Sequence, residues 1–254
     1  MVDIRKIDRT GETNTNKNGQ KMRILSYRQV GDIDIIFESG YISHNNTYQN
    51  FKKGEVRDYF SKDIFGVACL GQEPSNEKNI SKDKSYCIWS NMLRRCYSEK
   101  YKKEHPSYES CYCCEEWLNY QNFIKWFNEN YYEVPNERME LDKDILFKNN
   151  KIYSPNTCIF VPQRINVLLN KNHNVRGKCL IGVTYREKND NYVARVSTLN
   201  ERKYLGVFNT QEDAFKAYKE YKEKYIKEIA DKYKNMIPKA LYEALYNYEV
   251  DAKD

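Results

Sequence analysis

Histidine, tryptophan and proline are scarce in this chain of 254 residues, which carries three, three and six of them. No apolar run approaches the roughly 20 residues of a membrane-spanning helix. The opening MVDIRKIDRTGETN lacks the apolar stretch of a secretory signal. Neither secretion nor membrane insertion is expected, and the compartment that fits is the cytoplasm. His44, His105 and His173 are the whole supply of imidazole. His44 falls in an expected turn and reads as a solvated polar residue. A second C-x-x-C is also missing: Cys111 and Cys114 form one such pair, with Cys113 between them and Cys96 and Cys158 elsewhere in the region. A structural zinc needs four converging ligands, so the expectation is reduced, partly buried thiols and no structural zinc.

Charge and tyrosine are what the chain has in quantity. Forty-two Lys and Arg stand against 36 Asp and Glu, a formal net charge of +6, and Tyr, at 23, is the dominant aromatic. With a mean hydropathy of −0.89, two or three small domains with modest cores and wet surfaces are expected. Over residues 1–71 the runs MRILSYR, DIDIIFE, YISHNNTYQNF and EVRDYF are short, alternate in polarity and are separated by Gly31, Gly40 and Gly54. That is the pattern of a β-rich domain of SH3-like or small-barrel type. The polar, aperiodic stretch 72–85 reads as a linker.

The next region, 86–170, changes period. YCIWSNMLRRCY predicts a helix with Ile88, Trp89, Met92 and Cys96 to one side, KKEHPSYESCYCC a loop, and EEWLNYQNFIKWFNENY a second helix striped by Trp117, Tyr120, Phe123, Ile124 and Phe127. Recurrence every three to four residues marks these aromatics as core. MELDKDILFKNNKIYSPNTCIFVPQRINVLL then reads as strand, turn, strand and helix, a short hairpin packed on a helix.

From 171 to 236 three alternating segments, GVTYREK, NYVARVSTL and RKYLGVF, lead into TQEDAFKAYKEYKEKYIKEI. Asn and Asp in KNDN and LNER suit tight turns, so a three-stranded antiparallel meander is expected. Tyr192, Ala194 and Val196 share one face of the middle strand, and Val193, Arg195 and Ser197 the other. Thr210 caps the helix with Asp213 at the capping-box position, and Ala214, Ala217, Tyr218, Tyr221 and Tyr225 form the stripe that covers one sheet face. Lys171, Arg176, Lys178, Arg186, Lys188, Arg195, Arg202 and Lys203 face only three acids between 171 and 205. With Tyr185, the cations from Arg176 onward make a surface for double-stranded DNA, whose major groove admits a β-ribbon and offers guanine acceptors to Arg. The plainer reading is a soluble basic surface. The tail 237–254, helical after Pro238, carries Leu241, Leu245 and Tyr248; it packs on the rest or makes a homodimer contact.

Both halves carry family resemblances. Gly182 and Val183, VARV, LGVF, and Ala214 with Tyr218 resemble the Apetala-two (ethylene-response-factor) DNA-binding domain, which also occurs in nucleases of phages and mobile elements. Tyr185 and Tyr192 stand where the plant strands are Trp-rich. IWSNMLRRC, CEEW with its aromatic helix, LDKD, YSPNTC and QRIN resemble the HNH (ββα-metal) nucleases of phages and homing elements. This second resemblance implies a bacterial or phage-infected cell and a Mg²⁺ or Mn²⁺ ion. By position, Asp142 becomes a metal ligand, Asn156 the site asparagine and a further ligand, and Gln163 or Asn166 the helix-borne third group. Where the family commonly has a His as general base, this chain has Lys143. An ordinary Lys ionises near about 10.4, and Asp142 and Asp144 would hold its proton more firmly. Lys143 is thus a poor base but able to contact a phosphate; His105, His173 or the metal itself would have to activate water. The D-K-D run also suits a solvated hairpin edge, Asn156 after Pro155 an ordinary turn, and His105 before Pro106 a loop cap.

The expectation is an α+β protein: a small N-terminal β domain, a central ββα unit with flanking helices, and a three-stranded sheet packed on one helix. Its first functional reading is a DNA endonuclease cutting phosphodiester bonds with one divalent ion. The alternative is a non-catalytic, sequence-specific DNA-binding protein on an HNH scaffold, a regulator or inhibitor of a nucleic-acid enzyme. A protein-interaction module built on the N-terminal β domain is the third.

Overall fold

Strict alternation builds the first sheet. In the computed structural model, which describes residues 7–72, 77–169 and 179–252, β1 (Thr13–Thr15), β2 (Lys21–Gln29), β3 (Asp32–Phe37) and β4 (Ile42–Asn46) pair antiparallel in chain order. Met22 and Ile24 on β2 and Ile33, Ile35 and Phe37 on β3 point to one side, where Phe51 and Val56 close a core. Phe51 belongs to the short helix α1 (Tyr48–Lys53), capped at its start by Thr47, whose hydroxyl accepts from the Asn50 amide. EVRDYF, which alternates like a strand, is irregular chain instead. Asp58 is buried there and accepts from the Phe60 amide at 2.8 Å and from Ser39 Oγ at 2.6 Å, so its polar groups are satisfied without a ladder.

The chain divides into two compact bodies, 1–98 with 115–125, and 99–114 with 126–254. In the first, α2 (Lys84–Tyr97) starts at Asp83, whose carboxylate accepts from the Tyr86 amide. Of the expected stripe Trp89, Met92 and Cys96 are buried and Ile88 is half-buried, and Leu93 joins the buried side. The Trp89 indole N–H donates to the Trp117 carbonyl at 2.6 Å, and Trp117 packs edge-on against Phe123. Phe123 lies on α4 (Tyr120–Asn130).

In the second body α3 (Glu99–Glu104) precedes a two-residue strand β5 (Tyr112–Cys113), in a stretch the sequence suggests is loop. Then β6 (Met139–Asp142), β7 (Ile152–Tyr153), β8 (Ile159–Pro162) and α5 (Gln163–Leu169) follow. β6 and β8 pair antiparallel, and β7 pairs parallel with β5. The two strands are therefore not the short hairpin suggested by the sequence: the connection 143–158 is long and carries a strand of its own. Leu141 and Phe160 are cross-strand partners, and Phe160 meets Trp126, Phe127 and Tyr131.

The C-terminal part follows the expected pattern. β9 (Val183–Arg186), β10 (Asn191–Ser197) and β11 (Arg202–Phe208) form an antiparallel sheet in the order β11-β10-β9. It is covered by α6 (Gln211–Tyr233) through Val183, Ala194, Val196, Ala214 and Tyr218. Thr210 caps α6, its hydroxyl accepting from the Asp213 amide. After Pro238, α7 (Lys239–Tyr246) buries Leu241 and Leu245. Val250 joins Val196 and Tyr218 in the core. None of the eight cysteines is in a disulfide, and no helix among the described residues is long and apolar enough to cross a membrane.

Candidate nucleic-acid interface and the ββα unit

The pairing of β10 decides which residues lie on the side of the sheet away from α6. Ala194 and Val196 go under α6, so Val193, Arg195 and Ser197 lie on the opposite face. Their cross-strand partners share it: Arg186 is opposite Asn191, Tyr204 opposite Arg195, and Arg202 opposite Ser197. Arg186 and Arg202 are exposed and Arg195 half-buried. Three guanidinium groups, one from each strand, thus occupy the face that α6 does not cover, with the exposed ring of Tyr204 among them.

The other cations are placed differently. Lys188 is exposed in the helical turn between β9 and β10. Lys203 lies on the α6 side, its ammonium 4.9 Å from the Tyr221 ring. Tyr185 is also on that side, paired with Tyr192 at 5.1 Å, and its hydroxyl donates to Asp190 at 2.6 Å. Arg176, Lys178 and His173 lie outside the described residues.

In the ββα unit, Glu140 and Asp142 share the side of β6 that faces α5, where Asn166 donates to Glu140 at 2.7 Å. Asp142 Oδ1 accepts the amides of Asp144 and Ile145, each at 2.7 Å. Burial raises the Asp142 pKa, and the two amide bonds oppose that rise. Cys158 lies close enough that Asp142 and Cys114 add to the effect of burial, which pushes its thiol up to about 12.

Lys143 points the other way and is only 4% exposed. Its ammonium donates to Asp144 at 2.6 Å and to the Asn150 carbonyl at 2.9 Å, while the Asn150 amide returns a bond to the Lys143 carbonyl at 2.8 Å. Burial works to lower its pKa, but the bond to Asp144 and the neighbouring anions hold it above the ordinary lysine value. A protonated ammonium of this kind is a poor base near neutral pH. Its bonds hold the loop between β6 and β7.

No family model, curated protein or solved structure matches this chain. Asn156 is exposed in the turn after β7. Gln163 opens α5, its backbone N–H donating to the Arg138 carbonyl at 2.7 Å. His105 is exposed after α3, its ring 4.3 Å from that of Tyr101. Among the described residues no three His, Cys, Asp or Glu side chains converge as a metal set. Asp142 does offer one carboxylate, and Mg²⁺ often takes only one or two from a protein when water and substrate phosphates complete its shell.

Two residues with structural roles escape the sequence reading. Asn150 looks like a turn residue in KNN yet anchors Lys143. Lys222 sits in a polar-looking stretch of α6, but it falls four residues after Tyr218 and is buried with it, a spacing that would have revealed it.

Proposed function

We propose that this chain binds double-stranded DNA through the face of the β9–β11 sheet opposite α6. The observation that carries the reading is the row of Arg186, Arg195 and Arg202, one on each strand and none beneath the helix. A sheet of this width fits the major groove, and planar guanidinium groups can take phosphates or the paired acceptors of guanine. The buried Lys143 favours a non-hydrolytic role for the ββα unit, as a scaffold beside the bound duplex.

Cleavage is the second reading, favoured by one observation: Asp142 ends β6 on the side facing α5. Asp142 would hold a divalent ion, which when bound lowers the pKa of a coordinated water. One experiment separates the two. Supercoiled plasmid is incubated with the protein and Mg²⁺, Mn²⁺ or EDTA, while binding is followed by mobility shift at several salt concentrations. Salt-sensitive binding with the plasmid intact supports the first reading. Metal-dependent nicking that disappears in Asp142→Asn, which keeps the oxygen accepting the Asp144 and Ile145 amides, supports the second. Absence of binding at any salt concentration removes the basic-sheet reading.

A further inference from the structure

Beside the β9 edge of the sheet lies a cleft of about 1340 Å³ bounded by α5, by the ends of β10 and β11, and by α6. This exceeds the roughly 300–1,000 Å³ of a small-molecule pocket. Its charged lining is one-sided: Arg164 from α5, Arg195 and Arg202 from the sheet and Lys222 from α6, against a single carboxylate, Glu187. The cleft is thus continuous with the arginine face, since Arg195 and Arg202 belong to both. Its far wall is well anchored, because Lys222 donates to the Leu168 carbonyl at 2.8 Å and so ties α6 to the last turn of α5.

Arg164 is the group on that wall with freedom to act. Its side chain is 56% exposed and reaches Glu137 only at 4.0 Å. Glu137 already accepts from the Tyr233 hydroxyl at 2.7 Å, so moving Arg164 to another anion leaves that carboxylate with a partner. Although the Glu137 side chain is only 8% exposed, a pair 4.0 Å apart with one exposed partner contributes little.

We infer that a duplex lying on the sheet continues across this cleft, and that Arg164 of α5 takes one of its phosphates. The ββα unit then contributes to DNA binding through its helix, whether or not it cuts. This rests on the reading of the sheet as a DNA-binding face. Seven strand residues span about 23 Å, which matches about seven base pairs. A duplex confined to the sheet and one that also crosses the cleft therefore differ in length and can be offered separately.

The test compares the full chain with Arg164→Ala and Arg164→Gln on duplexes of about 10 and about 30 base pairs, over a range of salt. The expected result is a loss of about three- to tenfold on the long duplex, with the slope of log affinity against log salt reduced by about 0.9, and no change on the short one. Unchanged affinity of both variants on both duplexes, or an equal loss on both, overturns the inference and leaves the sheet reading standing. Failure of the unaltered chain to bind either duplex overturns both. Because Arg164 is exposed, urea unfolding midpoints of the variants should match that of the parent chain, which separates a lost contact from a lost fold.

Discussion

Gly182 lies directly beneath the ring of Tyr218, so that a Cβ on Gly182 would come 2.1 Å from Tyr218 Cδ2. Its φ of +77° is in the region that side chains rarely adopt. Helix α6 can approach the start of β9 only because this residue has no side chain. Gly182→Ala should therefore lower stability by about 2–3 kcal/mol through strain and overpacking together. The denaturant midpoint should fall without a change in slope; a midpoint equal to the parent's would show that the ring has room to move.

The DNA-binding reading makes a contrast between neighbours. Arg186→Ala and Arg195→Ala should each weaken duplex binding and reduce the salt slope by about 0.9. Lys203→Ala, which removes a cation from the α6 side, should leave both quantities nearly unchanged. Equal losses for all three would mean that net charge, not the arginine face, governs binding.

Lys143 should matter for folding rather than for proton transfer. Lys143→Met leaves the Asn150 carbonyl and Asp144 without their donor and should cost about 1–3 kcal/mol, the lower end reflecting the exposure of Asp144. The folded pKa of Lys143 lies above the ordinary value. Its contribution is thus fully present below about pH 10.4 and is lost as pH rises through the folded value. Urea unfolding of parent and variant across that range reads the difference directly.

Lys222 behaves in the opposite sense. Burial lowers its pKa to about 8. Between pH 8 and about 10.4 the unfolded chain holds a proton that the folded chain does not, so this lysine makes stability rise with pH over that window. The full rise is on the order of 3 kcal/mol. In Lys222→Met that rise should be absent, and the variant should compare best with the parent at neutral pH, where the parent holds a buried charge. A parent whose stability gains nothing relative to Lys222→Met above pH 8 would contradict this.

The sequence made the sheet and helices legible where one physical signal dominated. Ala194 and Val196 of β10 are buried where they meet α6, and α2 repeats every three to four residues because Trp89, Met92, Leu93 and Cys96 are its buried side. Legibility failed where polar side chains replaced backbone pairing. Asp58 satisfies a loop that alternates like a strand, and Lys143 in D-K-D looks solvated until Asn150 and Asp144 enclose it. The candidate site was legible as a composition of residues, not as an assembly. Asp142 and Asn166 do come to the same side of the ββα unit. His105 and Asn156 sit in exposed turns, the plainer of the two readings that their neighbours Pro106 and Pro155 allowed.

The irregular step in β11 has a chemical consequence. Between Ala194 and Arg195 the partner strand advances two residues, from Gly206 to Tyr204, with Leu205 as the extra one. An even ladder would have set Lys203 opposite Ser197 and turned Arg202 away. The inserted residue exchanges them, so whatever lies against this face meets a flat, five-donor fork in place of a compact ammonium. A single leucine, packed toward the helix, thereby selects which of two adjacent positive charges stands on this face.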